Sequence, residues 1–546
     1  MIPAQGTVAQ AVGDALARSG IGTVFGVVGS GNFVVTNAMV AAGARFVAAR
    51  HEGGAATMAD AYARTSGSVA ALSLHQGCGL TNALTGITEA AKSRTPLVVV
   101  TAEATSPRSN FFVDQAALAE AVGAVPMRVT SPAEAVATAG RAVATARDER
   151  RVVVLNLPLD VQRLEAPAAG FPDPAPRSVP PPDAAEVSRL AELLGRARRP
   201  VFVAGRGARG ARAELTALAD GCGALLATSA VAKGLFRGEP WDLDVSGGFA
   251  TPLAAELIAG ADLIVGWGCA LNMWTMRHGR LVADDAVVVQ VDLEREALGA
   301  QRAIAFGVVG DVRAVADAAA AALREEATGY RTPEVRDALA ARRRWRDEPF
   351  VDAGDAGFVD PRALTTALDD LLPADRVVAV DSGNFMGYPS MFLDVPDEYG
   401  FCFTQAFQSV GLGLATAIGA ALARPDRLPV AALGDGGALM GASELETVVR
   451  LGLPMVVVVY DDAAYGAEVH HFGPDGHPLD TVQFPETDIA AIARGYGFEA
   501  VTVRNVRDLG AVEAWLDGVR AAPLLVDAKV RRDEPSWWLE EAFRGH

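Results

Sequence analysis

Short runs of aliphatic and β-branched residues recur along the chain, each ended by glycine, asparagine or an acid, with stretches between them where apolar residues return every three or four positions. Runs of this length without alternation predict strands buried on both faces, as parallel sheets require, and the intervening periodicity predicts helices. The clearest unit spans residues 430–468. A buried strand at 430–433 meets a turn of Gly434, Asp435, Gly436 and Gly437, then an amphipathic helix, then a second buried strand ending in Asp461 and Asp462. This is a βαβ unit.

The same alternation fills the rest of the chain. Residues 7–19 place Val8, Val12, Ala15 and Leu16 on one helical face, with Thr7 as cap and Gly20 as stop. A strand at 23–28 runs into Gly29, Ser30, Gly31 and Asn32, small residues that allow a ligand close approach. Further strands at 46–50, 69–74 and 96–101 follow, the first feeding a helix that opens His51-Glu52-Gly53-Gly54, the second ending at His75-Gln76-Gly77. Taken alone, Glu52 reads as a favourable first-turn charge and His75 as a strand-end histidine with a structural partner. Residues 166–182 hold too many prolines for a helix or central strand and predict a linker. Strands at 201–204, 263–265 and 287–291 alternate with helices to give a middle α/β region. A charged helical stretch at 336–347 and a Gly/Asp-rich segment at 351–360 form a second linker, after which a strand at 377–380 reaches the turn Asp381-Ser382-Gly383-Asn384. The expected architecture is three doubly wound parallel-sheet α/β domains, 1–165, 186–340 and 361–546, joined by linkers 166–185 and 341–360.

At 546 residues the chain exceeds what a single core organises, which agrees with three domains. A net charge of −18 without a Lys/Arg stripe argues against nucleic acid as a partner. Cys78, Cys222, Cys269 and Cys402 lack disulfide or metal-site spacing and read as buried, reduced thiols of a cytoplasmic protein. No apolar run nears the roughly 20 residues that cross a bilayer, and no basic leader opens the chain. Residues 314–323 read as an alanine-rich helix, and membrane association is not expected.

Candidate chemistry enters at the strand ends. Ligands of open parallel sheets collect at the carboxyl ends of strands, where Asp435 and the Asp461-Asp462 pair fall. Glycine N–H groups in the 434–437 turn suit a phosphate, but Asp435 repels one. A divalent cation removes that conflict, and magnesium suits carboxylate, carbonyl and phosphate oxygens best.

Gly434-Asp435-Gly436, followed twenty-seven positions after Asp435 by Asp462 and then by Tyr465-Gly466, resembles the motif of the thiamin diphosphate-dependent enzymes of the acetolactate synthase, pyruvate oxidase and benzoylformate decarboxylase group. The resemblance implies that Asp435, Asp462 and the carbonyl of Ala464 hold Mg2+, which clamps the diphosphate beside Gly436, Gly437 and Tyr465. Asp461 and Asp462 depart from the usual asparagines, and the added charge predicts weaker cofactor retention. By the same resemblance Glu52 activates the aminopyrimidine ring, Val410 is the wedge that bends the cofactor, and Ser382 and Asn384 edge the diphosphate site. Ser30 and His75 match active-site residues of benzoylformate decarboxylase, and Glu468 lies where pyruvate decarboxylases carry a catalytic glutamate. Phe111 and Phe112 stand near where acetohydroxyacid synthases carry Phe-Gln-Glu, and read equally as pocket or core. In some relatives the middle domain binds FAD, but Gly205-Arg206-Gly207 lacks a ribose-binding acid and residues 268–279 lack the flavin-contact segment, so FAD is not expected. His278 is a loose match to a middle-domain histidine of benzoylformate decarboxylase. His470 and His471 lack further ligands at zinc spacing.

The implied reaction is decarboxylation of a 2-oxo acid, carboligation to a 2-hydroxy ketone, or both. Cleavage of a 2-hydroxyacyl-CoA is the alternative, suggested by Leu271-Asn272-Met273-Trp274. A non-catalytic subunit that keeps the cofactor fold is the alternative of another class, and a nicotinamide dehydrogenase lacks its fingerprint. Since Glu52 and Asp435 meet across a subunit interface in this family, at least a homodimer is implied, with a homotetramer common among relatives.

Overall fold

The computed structural model describes residues 6–167, 179–324 and 327–539. Among them eighteen strands form three six-stranded parallel sheets. The first contains β1 (Thr23–Gly26), β2 (Arg45–Ala48), β3 (Ala70–Leu74), β4 (Leu97–Glu103), β5 (Val125–Arg128) and β6 (Val152–Pro158) in the order β2-β1-β3-β4-β6-β5. The second contains β7 (Pro200–Ala204), β8 (Leu225–Thr228), β9 (Asp242–Val245), β10 (Leu263–Trp267), β11 (Val287–Asp292) and β12 (Phe306–Val309) in the order β12-β11-β10-β7-β8-β9. The third contains β13 (Arg376–Val380), β14 (Phe401–Phe403), β15 (Leu428–Gly434), β16 (Val456–Asp461), β17 (Glu499–Val503) and β18 (Leu524–Lys529), ordered β14-β13-β15-β16-β18-β17.

The first and third sheets therefore share one topology, and the architecture expected from the hydrophobic runs is the one observed. The central strands are buried on both faces: Val456, Val457 and Val459 have no exposed surface, and each such side chain contributes about 1.5–3 kcal/mol of burial. Helix Val8–Arg18 starts at Thr7, whose hydroxyl accepts from the Gln10 N–H while the Gln10 side chain returns the bond, a capping box.

One apolar core joins the first and third sheets. Helix Glu52–Ser66 packs along helix Gly413–Ala423, and a Cβ on Gly419 would stand 2.3 Å from the Met58 carbonyl oxygen. Three expectations change. Cys78, expected to be buried, is exposed at the start of helix Cys78–Lys92, while Cys222, Cys269 and Cys402 are buried. The amphipathic helix after Gly437 is broken into Asp435–Met440, a 3-10 turn Ala442–Glu444, and Leu445–Arg450, because Glu444 is diverted to another domain. Helix Ala184–Arg196 begins inside the predicted first linker, its Asp183 cap accepting from Ala185 and Glu186; residues 168–178 of that linker lie outside the described residues. The second linker packs on the third domain through Trp345, whose ring lies 5.5 Å from Trp537 and 6.3 Å from Phe392.

Among the described residues no helix is long and apolar enough to cross a membrane.

Candidate active site

In each sheet the strand order reverses at one inner position, with a further swap at the β5 and β17 edges of the first and third sheets, and loops diverge at the inner reversal to leave a crevice at the carboxyl ends of the strands. In the third sheet the reversal lies between β13 and β15, which brings the Asp381–Asn384 turn against Gly434–Gly437. Contact is so close that a Cβ on Gly437 would lie 2.2 Å from Asp381 Oδ2. Asp381, expected only as the first residue of the turn that edges the diphosphate site, is a hub. Fully buried, its carboxylate accepts from the N–H of Ser382 at 2.8 Å, Gly411 at 3.0 Å and Leu412 at 3.2 Å. Burial pushes its pKa up to about 6 although those bonds pull it down. An acid ending a strand was the available signal, the same one that marked Asp435.

β15 and β16 pair in register from Val430↔Val456 to Gly434↔Tyr460, so Asp435 and Asp462 follow neighbouring strand ends. Burial, then the Asp462 and Asp461 carboxylates, push Asp435 up to about 8. Burial, then Asp461, push Asp462 up to about 7, against the pull of the Ala464 N–H, which donates to it at 3.2 Å. The two aspartates of the pair differ in role. Asp461 accepts from Lys529 Nζ at 2.5 Å, and Lys529 also meets Asp527 at 3.1 Å and the Thr487 carbonyl at 2.8 Å. Lys529, shared between Asp461 and Asp527, thus offsets only part of the Asp461 charge, while Asp462 faces Asp435.

Asp435, Asp462 and the main chain of Ala464 supply hard oxygen donors, and two crowded carboxylates without a cation are the environment a divalent ion relieves. Among the described residues no group of three His, Cys, Asp or Glu side chains gathers as a metal site, so a carbonyl must complete this set. Magnesium fits. The depression beside the turn is lined by Asp435, Gly436, Met440, Ala463, Tyr465 and Phe484 among others, none of them from residues 1–165. The Tyr465 ring lies against Gly436, where a Cβ would stand 2.9 Å from it, and packs edge-on to Phe484 at 5.0 Å. Val410 is 39% exposed and follows Gln408, whose φ is +60°. Asn384 is turned partly to other work: its side-chain carbonyl accepts from the Ser536 N–H at 3.0 Å, and its main-chain carbonyl from Trp538 Nε1 at 2.9 Å. Glu468 is exposed on helix Gly466–Phe472, and on the same helix burial lowers the pKa of His470.

In the first sheet the reversal lies between β1 and β3, and it unites two residues 45 positions apart. Ser30 Oγ lies 3.5 Å from His75 Nε2. His75 Nδ1 lies 3.1 Å from the Gln76 carbonyl, which can only accept, so Nδ1 is the donor there and in the neutral ring Nε2 faces Ser30 as an acceptor. Gly29 makes this possible, since a Cβ there would fall 2.3 Å from the imidazole. Phe111, 43% exposed and hence not core, sets its ring edge-on to His75 at 5.1 Å. Phe112 is exposed as well. Glu52 opens its helix, and its Oε2 accepts from Asn82 Nδ2 at 3.1 Å; His51 Nδ1 caps the helix by accepting from the Gly53 N–H.

In the middle sheet the reversal between β7 and β10 packs Gly205 and Gly207 on Gly268. A Cβ on Gly205 would stand 2.3 Å from the Gly268 carbonyl oxygen, so turn packing alone demands these glycines. A cavity of about 340 Å³ opens here between the domains, bordered by Arg150, Arg206, Asn272, Trp274, His278 and Gln405 among others. Its wall thus includes His278 and much of the 271–274 stretch.

A glycine-acid turn and a second acid at one strand reversal, with a carboxylate-led helix in a domain of matching topology, define an α/β enzyme that holds a diphosphate-bearing cofactor. Comparison with known proteins agrees: residues 6–127, 187–319 and 381–528 match the N-terminal, central and C-terminal domain models of the thiamine pyrophosphate enzymes. The chain is 32% identical to a probable 2-ketoarginine decarboxylase of Pseudomonas aeruginosa, over 93% of this chain and 90% of the relative. It is 28% identical to a sulfoacetaldehyde acetyltransferase of Castellaniella defragrans (92% and 89% covered) and to an acetolactate synthase large subunit of Parasynechococcus marenigrum (96% and 88%). The chain belongs to the thiamine pyrophosphate enzyme family, and it is an enzyme dependent on that cofactor.

Proposed function

We propose that the chain decarboxylates a 2-oxo acid, releasing an aldehyde or joining the remaining fragment to a second carbonyl as a 2-hydroxy ketone. The observation that carries this reading is the Ser30–His75 pair, in which Nε2 of the neutral ring can take or return a proton through the serine hydroxyl, with Phe111 edge-on to the imidazole. The decarboxylase and synthase named among the relatives support it. When bound, thiamin diphosphate supplies the electron sink that makes loss of carbon dioxide possible.

In this reading Asp435, Asp462 and the Ala464 carbonyl hold Mg2+, and Gly434, Gly436, Gly437, Tyr465, Ser382 and Asn384 surround the diphosphate. Val410 supports the bent cofactor. Glu52, its Oε2 occupied by Asn82, offers Oε1 to the pyrimidine nitrogen. Glu468 is a further proton donor. The domains are taken as 1–165, 186–340 and 361–546, with helix Ala184–Arg196 starting two residues ahead of the second limit. The working unit is a cytoplasmic homodimer or homotetramer: the depression beside Asp435 draws nothing from its own first domain, and its lining residues Leu439, Met440 and Phe484 are exposed. A second copy can cover them and present its Glu52 there. FAD is outside this reading, since Gly205 and Gly207 are accounted for by packing.

The alternative, cleavage of a 2-hydroxyacyl-CoA, is favoured by one observation, the large interdomain cavity bordered by Asn272, Met273 and Trp274. A panel of 2-oxo acids scored for carbon dioxide separates the two. Release from none of them, with formyl-CoA formed from a 2-hydroxyacyl-CoA, rejects the first reading.

A further inference from the structure

The first and third domains exchange one carboxylate each. Glu444 lies in the broken helix after β15 and is 3% exposed. Its Oε1 accepts the N–H of Arg50 at 3.0 Å and of His51 at 3.0 Å, the two residues that lead into helix Glu52–Ser66 of the first domain. Its Oε2 is held by Thr447 Oγ1 at 2.6 Å. Gly54 leaves the room for this, because a Cβ there would stand 2.5 Å from Glu444 Oε1.

Glu89 does the converse. It lies on helix Cys78–Lys92, after β3, and is 1% exposed. It accepts the N–H of Ala406 at 3.0 Å and of Phe407 at 2.6 Å, in the segment that leads into helix Gly413–Ala423 of the third domain. Arg64 anchors it at 2.6 Å and donates at 3.1 Å to the carbonyl of Phe403, at the end of β14. Asp381 holds the far end of that segment through Gly411 and Leu412.

The two contacts are related by the shared topology of the sheets. β3 and β15 hold the same place in their sheets, as do β2 and β14. In both domains the helix after the third strand sends a glutamate across the interface to two consecutive N–H groups between the second strand and the helix that follows it, directly ahead of helix Glu52–Ser66 in one case and six residues ahead of helix Gly413–Ala423 in the other. Those two helices are the ones packed together. Neither glutamate touches the candidate cofactor residues directly, yet each fixes the lead-in to one: Glu444 fixes the backbone at Glu52, and Glu89 fixes the segment carrying Val410.

We propose that Glu444 and Glu89 are a reciprocal pair of positioning residues, by which each domain sets the cofactor-facing group of the other within one chain, Glu444 for Glu52 and Glu89 for Val410. The functional half of this rests on the reading of Glu52 and Val410 given above.

Glu444→Ala, Glu444→Gln, Glu89→Ala and Glu89→Gln in the full chain test it, followed by amide hydrogen exchange without cofactor, by thiamin diphosphate affinity in magnesium, and by turnover. Glu444→Ala is expected to speed exchange at residues 50–53 but not at 406–411. Turnover should fall ten- to a hundredfold, with cofactor affinity within twofold of the parent. Glu444→Gln, which keeps an acceptor at Oε1, should recover most of the loss. Glu89→Ala is expected to speed exchange at 406–411 only and to weaken cofactor affinity about tenfold, with Glu89→Gln intermediate. Exchange that rises equally over both segments in either alanine variant, or turnover and affinity that fall in parallel in both, overturns the proposal; where an alanine variant does not fold, the glutamine variant decides by the same two criteria. A parent chain that binds no thiamin diphosphate refutes the cofactor reading instead, and the exchange measurements still decide whether the clamp exists.

Discussion

Replacing Asp462 by asparagine should stabilise the metal-free chain above neutral pH while weakening its hold on magnesium. In the folded chain Asp435 is displaced from 3.8 to about 8 and Asp462 to about 7. A carboxyl whose folded pKa is raised binds its proton more tightly than the unfolded chain does. Its protonated form therefore stabilises the fold at low pH, and stability falls as pH climbs from about 4 towards 8 and levels off above. At 1.36 kcal/mol per pH unit the displacement of Asp435 corresponds to ~6 kcal/mol as an upper bound. Neighbouring acids sharing a proton and local relaxation reduce the expected loss to about 3 kcal/mol. Burial is the larger cause for Asp435 and survives the substitution; the Asp462 charge is the second and does not. Asp462→Asn should accordingly return ~1–2 kcal/mol at pH 8, a rise of a few degrees in the unfolding midpoint, and almost nothing at pH 5. The assay is thermal unfolding of metal-free, cofactor-free protein from pH 5 to 9. With magnesium and thiamin diphosphate the parent should lose its pH slope, because the cation takes the place of the proton. The variant should need on the order of tenfold more magnesium. Parallel pH profiles for parent and variant would refute the reasoning, since Asp435 and Asp462 would then not be sharing a site.

Glu52→Gln is expected to lower turnover by orders of magnitude with cofactor still bound, measured as carbon dioxide release beside calorimetric affinity; unchanged turnover would favour the non-catalytic alternative. Ser30→Ala should cost roughly a hundredfold in turnover without altering cofactor affinity, because it removes the hydroxyl next to His75 Nε2 and touches no diphosphate residue. Lys529→Met should destabilise the third domain by about 3–5 kcal/mol in urea unfolding by stranding Asp461 and Asp527, and adding Asp461→Asn should restore part of it. Equal stability of the single and double variants would count against that pairing.

The strand pattern was legible because parallel strands are apolar on both faces, so β15, β16 and β4 announce themselves as unbroken runs, while β6 went unread. Asp435 and Asp462 were legible for a related reason, since strand ends at a topological reversal are where loops meet; Ser30 and His75 also end strands, but only the family resemblance singled them out. What stayed hidden was set by contacts between distant segments. Nothing near Asp461 signals that its charge is partly offset by Lys529, sixty-eight positions on, and nothing in the helical periodicity after Gly437 signals that Glu444 leaves it to reach Arg50 and His51. Phe111 could not be assigned to pocket or core, because its spacing carries no period; its place against His75 decides for the pocket.

The Asp461-Asp462 pair gains a different meaning from the structure than from its charge count. Two aspartates in place of asparagines would add two negative charges beside a diphosphate, and weaker cofactor retention follows if both face it. Lys529, 3% exposed and shared between Asp461 and Asp527, offsets part of one of them. The excess that reaches the site is therefore less than two full charges, and the Asp462 share of it belongs to the proposed metal donor set. A carboxylate in that position strengthens the attraction for a divalent cation while repelling the diphosphate directly, so the two ligands should become more dependent on each other. Thiamin diphosphate affinity without magnesium should then be negligible, and adding the metal should raise it more steeply in the parent than in Asp462→Asn. Affinity indifferent to magnesium in the parent would remove Asp435 and Asp462 from the cofactor site altogether.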